Sequence, residues 1–416
     1  MNILMVTQEY PPYLVGGIGT HVQELARGLV ARGVTVCVVT FSTGYVHVAD
    51  DNGVRVRYIP YPFSGRPNQY PERLCELDQL NRLILDCARP VLKSNKESET
   101  IVHIHDWPSF SAAEKLRSEF MVPVVITVHG LWSDLARWDN HLDKEAVASL
   151  ESDACRRADR VIAVSAFIGG RIAELFNADR ERLDIILNSF DIDRFCACAR
   201  MASSCRLPAL GGKTVVYAGR VVPQKGVLTL LRSAMRVLAQ NAEVRYLIVG
   251  GSDDRGYVDL VMSLAQHHPK LKEAVDFLGS VPRNELAGIY KCAAAVVVPS
   301  LYEPFGYAAL EPMALGKPVI ASATGGLAEI IEDEVSGILI PLIKKQHTDT
   351  YDLDMDKLVS AQLRVLSDSQ RALLLGENAR LRARQEFSVE KMIMGTLSTY
   401  GKCYASRALV AAECNG

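Results

Sequence analysis

The sequence predicts an α/β protein built from two doubly wound, Rossmann-like domains. Three observations predict it. Short β-branched runs alternate with amphipathic stretches of helical period along most of the chain. The alternation lapses in one aperiodic stretch rich in small residues, Ser and Gly, at 196–212, and then restarts. The chain is 416 residues long, more than one hydrophobic core organises comfortably. The expected layout is a first domain at 1–195, a linker at 196–212 and a second domain at 213–388. A last helix, at about 389–416, should pack back on the first domain.

In the first half the apolar runs at 3–6, 34–40, 54–59, 101–104, 124–128, 161–164 and 183–187 read as strands. Segments 21–31 and 111–120 read as helices, and Gly33 suits the left-handed residue that follows a helix. After the lapse, strands are expected at 214–218, 244–249, 275–278, 295–299 and 319–321. Helices are expected at 227–239, 257–266, 285–292, 306–315, 377–386 and 389–407. In open α/β sheets ligands bind beyond the carboxyl ends of the strands, so residues just after strands carry the functional argument.

Three such places stand out. Arg220 leaves a strand end in Tyr217-Ala-Gly-Arg220, and Lys225 stands just before a helix. Two cations converging near the positive end of a helix make a diphosphate site, although a surface turn with two solvated cations has the same composition. Next comes Ser300-Leu-Tyr-Glu303-Pro-Phe305-Gly306-Tyr307, with a second glutamate, Glu311, along the following helix. Here Glu303 lies in the loop after a strand and Glu311 along the next helix, where both can face a cleft, with free N–H groups near Gly306. Third is Thr324-Gly325-Gly326-Leu327, where adjacent glycines present bare amides to phosphate.

Taken in this order, the motifs resemble the retaining glycosyltransferases of the glycosyltransferase 4 family and the related bacterial and archaeal glycogen synthases. That resemblance implies the GT-B fold, with two domains facing each other across a cleft. It implies that Arg220 and Lys225 neutralise the donor diphosphate without a metal. It also implies that Glu303 binds hydroxyls of the donor sugar, that Glu311 binds the ribose, and that the backbone around Phe305, Gly306, Tyr307, Gly325, Gly326 and Leu327 contacts sugar and phosphate. The loop that includes Val281 and Arg283 matches the cradle of the nucleobase. In the first half, Gly16, Gly17 and Gly19 match a glycine loop that approaches the phosphates. His129 matches a strand-end histidine that touches the transferred sugar, and Asp106 a second strand-end group, which could instead cap the helix that follows. Leu14 stands where glycogen synthases commonly carry a lysine.

The implied activity is transfer of a hexosyl group from a nucleoside-diphosphate sugar to a small-molecule or natural-product acceptor. No cofactor is expected: Asp191/Asp193 sits in the approach to the linker and Asp352/Asp354/Asp356 precedes a helix, where aspartates cap, so neither reads as a metal site. An α-glucan synthase, a nucleotide-sugar epimerase and a non-catalytic sugar-nucleotide binder stand as alternatives. Formal net charge is -2, which points away from nucleic acid. No run approaches the roughly 18 apolar residues of a membrane span. The short apolar N-terminal run lacks a basic flank, and the ten cysteines are scattered, so a cytoplasmic protein with reduced thiols is expected.

Overall fold

The computed structural model describes residues 1–13, 16–61, 73–94, 99–138, 143–201, 213–252, 254–344 and 351–414. The chain divides into two compact units, Met1–Phe190 with Phe387–Gly416, and Asp191–Glu386.

The first unit opens with β1 (Asn2–Val6), α1 (Gly17–Val30), β2 (Thr35–Ser42), β3 (His47–Asp51), β4 (Val54–Pro60) and α2 (Arg73–Ser94). It continues with β5 (Thr100–His105), α3 (Phe110–Phe120), β6 (Val124–Val128), α4 (Trp132–Leu135), α5 (Lys144–Arg157), β7 (Arg160–Ala163), α6 (Ala166–Phe176) and β8 (Leu183–Ile185). The eight strands form one sheet in the order β3-β4-β2-β1-β5-β6-β7-β8. All neighbours are parallel except β3, which runs antiparallel to β4 at the edge. Every residue of β5 and β6 is buried, as a parallel sheet covered on both faces requires. The strand order reverses between β1 and β5, so the loops after these two strands flank a topological switch point.

Two differences from the sequence reading have local causes. Strand β3 is short and alternates between exposed and half-buried residues, leaving no apolar run to read. Helix α1 starts at Gly17, a full turn earlier than expected, because its first turn is Gly-Ile-Gly, and glycine is a poor helix former. Gly33 has φ +78°, the left-handed conformation predicted for it.

The second unit contains α7 (Ile192–Met201), β9 (Thr214–Ala218), α8 (Val227–Gln240), β10 (Arg245–Val249), α9 (Arg255–His267), α10 (Pro269–Ala274), β11 (Val275–Gly279), α11 (Arg283–Cys292) and β12 (Ala295–Val298). After these come α12 (Tyr307–Ala314), β13 (Val319–Ser322), α13 (Leu327–Ile330), β14 (Ile338–Ile340), the antiparallel pair β15 (Leu342–Lys344) and β16 (Tyr351–Leu353), then α14 (Met355–Ser367) and α15 (Ser369–Glu386). Its six-stranded parallel sheet has the order β11-β10-β9-β12-β13-β14, with the switch point between β9 and β12.

The linker expected at 196–212 begins too early. Residues 196–201 are the second half of α7, and 202–212 lie outside the described residues. Ile192, Phe195, Cys196 and Ala199 form one buried face at helical spacing, which their mixed Cys/Ala composition disguises. That face packs on α11 and α12, and Cys196 Sγ reaches Ala314 O at 3.5 Å. The chain returns to the first unit through α16 (Val389–Cys414), which packs on α1. Gly28 permits the approach, since a Cβ there would lie 2.0 Å from Ile393 Cδ1.

Candidate active site

In the second unit the predicted donor residues gather at the switch point. Strand β9 ends at Ala218 and releases Arg220, which is exposed and has no carboxylate partner among the described residues. The Arg220 carbonyl is fixed by the Tyr217 hydroxyl, which donates to it at 2.6 Å. A single 3-10 turn, Pro223–Lys225, then places Lys225 two residues before the start of α8. Gly226 makes this turn possible. Its φ is +69°, and a Cβ would fall 2.0 Å from Pro299 O at the end of β12. The backbone of Leu301 donates to Gln224 O at 2.8 Å, joining the two loops.

The consequence is that Lys225 Nζ lies 2.7 Å from Glu303 Oε2. Ser300 Oγ donates to the same oxygen at 3.2 Å. The Glu303 carbonyl accepts the amide of Gly326 at 2.9 Å, so the glutamate loop is tied to the Gly325-Gly326 turn. A Cβ on Gly326 would meet Phe305 O at 2.2 Å, so this contact admits only glycine. Gly306 caps α12, Tyr307 begins it, and Leu327 is buried behind the turn. The structure therefore brings Lys225, Glu303, Phe305, Gly306, Tyr307 and Gly325–Leu327 together, with Arg220 on the adjoining strand end.

The sequence reading missed one relation here. Arg283 is the first residue of α11, and its Nη2 lies 3.0 Å from Glu311 Oε1. Its guanidinium sits over the Phe195 ring of α7 at 5.3 Å. Burial raises the Glu311 carboxyl above its ordinary range, and Arg283 opposes that shift. Val281 stands in the loop before α11 and is half-buried. The aspartates that suggested a metal pair are engaged locally. Asp354 caps α14 through Lys357 N, Asp356 pairs with Arg236, Asp191 accepts Arg194 N, and Asp193 pairs with Arg384.

In the first unit Gly16, Gly17 and Gly19 form the start of α1, and Glu9 sits on them. Its Oε2 accepts Gly16 N at 2.8 Å and Gly19 N at 3.4 Å. Asp106 follows β5 with φ +62°, a strained conformation for a non-glycine residue. Its side chain caps no helix; Oδ1 accepts the amide of His129 at 2.7 Å. Burial pushes its carboxyl up to about 8. His129 Nε2 lies 3.0 Å from His105 Nδ1, and the His21 ring packs edge-on against both imidazoles. The loop after His129 is pinned by Glu151, a buried carboxylate that accepts Trp132 N at 2.5 Å and Ser133 Oγ at 2.6 Å. No sequence signal marked Glu9 or Glu151, since each is a lone acid that acts on another segment.

The comparisons now bear on this geometry. A family model described as Glycosyl transferase 4-like domain matches residues 16–189, and one described as Glycosyl transferases group 1 matches residues 207–382. An uncharacterized glycosyltransferase of Methanocaldococcus jannaschii is 30% identical over 414 residues, covering 96% of this chain and 98% of that protein. The chain belongs to the group 1, family 4 glycosyltransferases. This glycosyltransferase is also 28% identical over 411 residues to a glycogen synthase of Mycobacterium tuberculosis, covering 96% of its own chain and 94% of the relative. Its structure matches sucrose-phosphate synthase from Thermosynechococcus elongatus with a TM-score of 0.78 and 26% identity, over 97% of this chain and 99% of that one. The two parallel sheets, of eight and six strands, are those of the GT-B fold. The glycosyltransferase uses a nucleotide-sugar donor and retains anomeric configuration. Among its described residues no helix is long and apolar enough to cross a membrane.

Proposed function

We propose that this glycosyltransferase moves a hexosyl group from a nucleoside-diphosphate sugar to a hydroxyl or other nucleophile of a small-molecule or natural-product acceptor. The observation that carries the reading is the 2.7 Å pair of Lys225 and Glu303 at the switch point, beside the Gly325-Gly326 turn. A cation and a hydroxyl-binding carboxylate in contact suit the junction of a donor, where phosphate meets sugar. Arg220 and Lys225 take the diphosphate, and their charge counts most as the anomeric bond breaks. Glu303 accepts hydrogen bonds from the sugar, and Glu311 from the ribose. His129 and Asp106 are read as further contacts of the sugar.

Glycosidases set two carboxylates on either side of the bond they cleave. In this reading Glu303 is spoken for by Lys225 and Ser300, and it acts as a ligand rather than a nucleophile. The acceptor oxygen attacks the anomeric carbon from the face the leaving group departs. The carbon–oxygen bond to the diphosphate breaks, and a phosphate oxygen receives the acceptor's proton. The products are the glycoside of unchanged anomeric configuration and the nucleoside diphosphate.

The test is a panel of UDP-, GDP- and ADP-hexoses scored by thermal shift and by donor hydrolysis. One donor should stabilise the protein and be hydrolysed slowly without acceptor, and Lys225→Ala should lower turnover by about 10²–10³-fold. Undiminished transfer by that variant refutes the phosphate assignment. An α-glucan acceptor is the second reading, favoured by the near full-length relation to a glycogen synthase. Leu14, which lies outside the described residues, weighs against it because it replaces the expected lysine. Incorporation of labelled hexose into a glucan primer would decide for the second reading.

A further inference from the structure

The histidines of the first unit form a group whose arrangement goes beyond a strand-end contact with sugar. His21 comes from α1, His105 from the end of β5, and His129 follows β6. One ring nitrogen from each lies within 4.8 Å of the others. His105 Nδ1 and His129 Nε2 are 3.0 Å apart, close to the edge of a tetrahedron of about 3.3 Å around a zinc ion. His21 and His105 are 2% and 1% exposed, and His129 is half-buried.

The polar bookkeeping also points to a missing ligand. Both ring nitrogens of His21 are buried without a hydrogen-bond partner. Native structures rarely leave such atoms unmatched. Asn188 Oδ1, buried and also without a partner, acts on His21 and suits the N–H of whichever His21 nitrogen does not ligate. His103 is different. Its two nitrogens are engaged by the Tyr400 hydroxyl at 2.7 Å and the Thr127 hydroxyl at 2.8 Å, so it supports the group without joining it.

We propose that His21, His105 and His129 form a site for one divalent transition metal of the zinc type, held by three imidazole nitrogens with a fourth position open. Imidazole donors select zinc-like ions over magnesium, which takes oxygen ligands. On binding, His105 carries its proton on Nε2 and His129 on Nδ1, so the two facing nitrogens both turn lone pairs to the ion. Each imidazole stays neutral, and no proton is released. A filled site withdraws His129 from the sugar, so the metal inhibits transfer. This consequence, unlike the site itself, rests on the proposed role of His129.

The experiment is calorimetric titration of the chelator-stripped full chain with Zn²⁺, and separately with Mg²⁺. One Zn²⁺ should bind per chain and Mg²⁺ should not compete. His21→Gln keeps the bulk of the side chain and removes a ligand, and should weaken Zn²⁺ by at least about 100-fold. His267→Ala, on the exposed end of α9, should leave binding unchanged. Circular dichroism and the melting temperature of His21→Gln separate ligand loss from misfolding. Substitution with Co²⁺ should give the absorption of a tetrahedral nitrogen site that vanishes in His105→Gln. Failure of the wild-type chain to bind Zn²⁺, or binding unchanged in His21→Gln, overturns the site and leaves the sugar role of His129 standing. Site-specific binding with no loss of turnover keeps the metal site and overturns the role of His129.

Discussion

Lys225 Nζ and Glu303 Oε2 are 2.7 Å apart, although 78 residues separate them in the chain. In the proposed reading the cation serves the phosphate and the carboxylate the sugar, and here each holds the other in place. They should therefore behave as one unit. Lys225→Ala and Glu303→Gln are each expected to lower kcat by about 10²–10³-fold, and the double variant by little more than either alone. Costs that multiply in single-turnover assays would show that the two act independently.

Gly226 should be intolerant of even one added methyl group. Its left-handed φ and the approach to Pro299 O leave no room for a side chain. Gly226→Ala is expected to destabilise the second unit by roughly 1–3 kcal/mol, seen in urea unfolding, and to lower kcat by displacing Lys225. A variant with wild-type stability and turnover would contradict the packing described.

Arg283 sustains the charge of a buried carboxylate. Removing it leaves burial to raise Glu311 further, so more of the carboxyl is protonated as pH falls. Arg283→Ala should raise KM for the nucleotide sugar by about 10-fold, with kcat little changed, and the KM should climb as the solution is acidified. Arg283→Lys should recover part of the affinity. A pH-independent KM in the Ala variant would assign Arg283 to packing on Phe195 alone.

Glu151 should leave a signature in the pH dependence of stability. Burial lifts its carboxyl to about 7 in the native protein, above the 4.5 of the free side chain. The native state then holds the proton more tightly than the unfolded chain. Its stabilising contribution is complete below about pH 4.5 and is lost as pH rises through about 7. Glu151→Gln keeps an acceptor oxygen for Trp132 and Ser133 and has no proton to lose. The melting temperature of the wild type, measured against this variant, should therefore fall between about pH 5 and pH 8. A constant difference across that range would remove Glu151 as the titrating group.

Much of this was legible in the sequence, for physical reasons that differ by element. Strands such as Val124–Val128 are buried on both faces and read as unbroken β-branched runs. The residues after β9 and β12 were legible because motifs local in sequence place Lys225, Glu303 and Gly326 within reach of one another. Helix α7 was hidden by small residues, and β3 by its alternation at an exposed edge. Glu9 and Glu151 accept from groups at the first turns of α1 and α4, and no spacing encodes that. The three histidines come from three elements at positions 21, 105 and 129, and only the parallel register of β5 and β6 brings two of them side by side.

The course of the chain bears on how the protein comes into being. The second unit is one uninterrupted stretch, Asp191–Glu386, whereas the first needs both ends of the polypeptide. Helix α16 supplies Met392, Ile393 and Tyr400 to the first core, and Tyr400 holds His103. During synthesis the later unit has all its residues while the earlier one still lacks a wall. The half that leaves the ribosome first is the last to close. A chain cut short near its end would therefore damage the beginning of the protein before the middle.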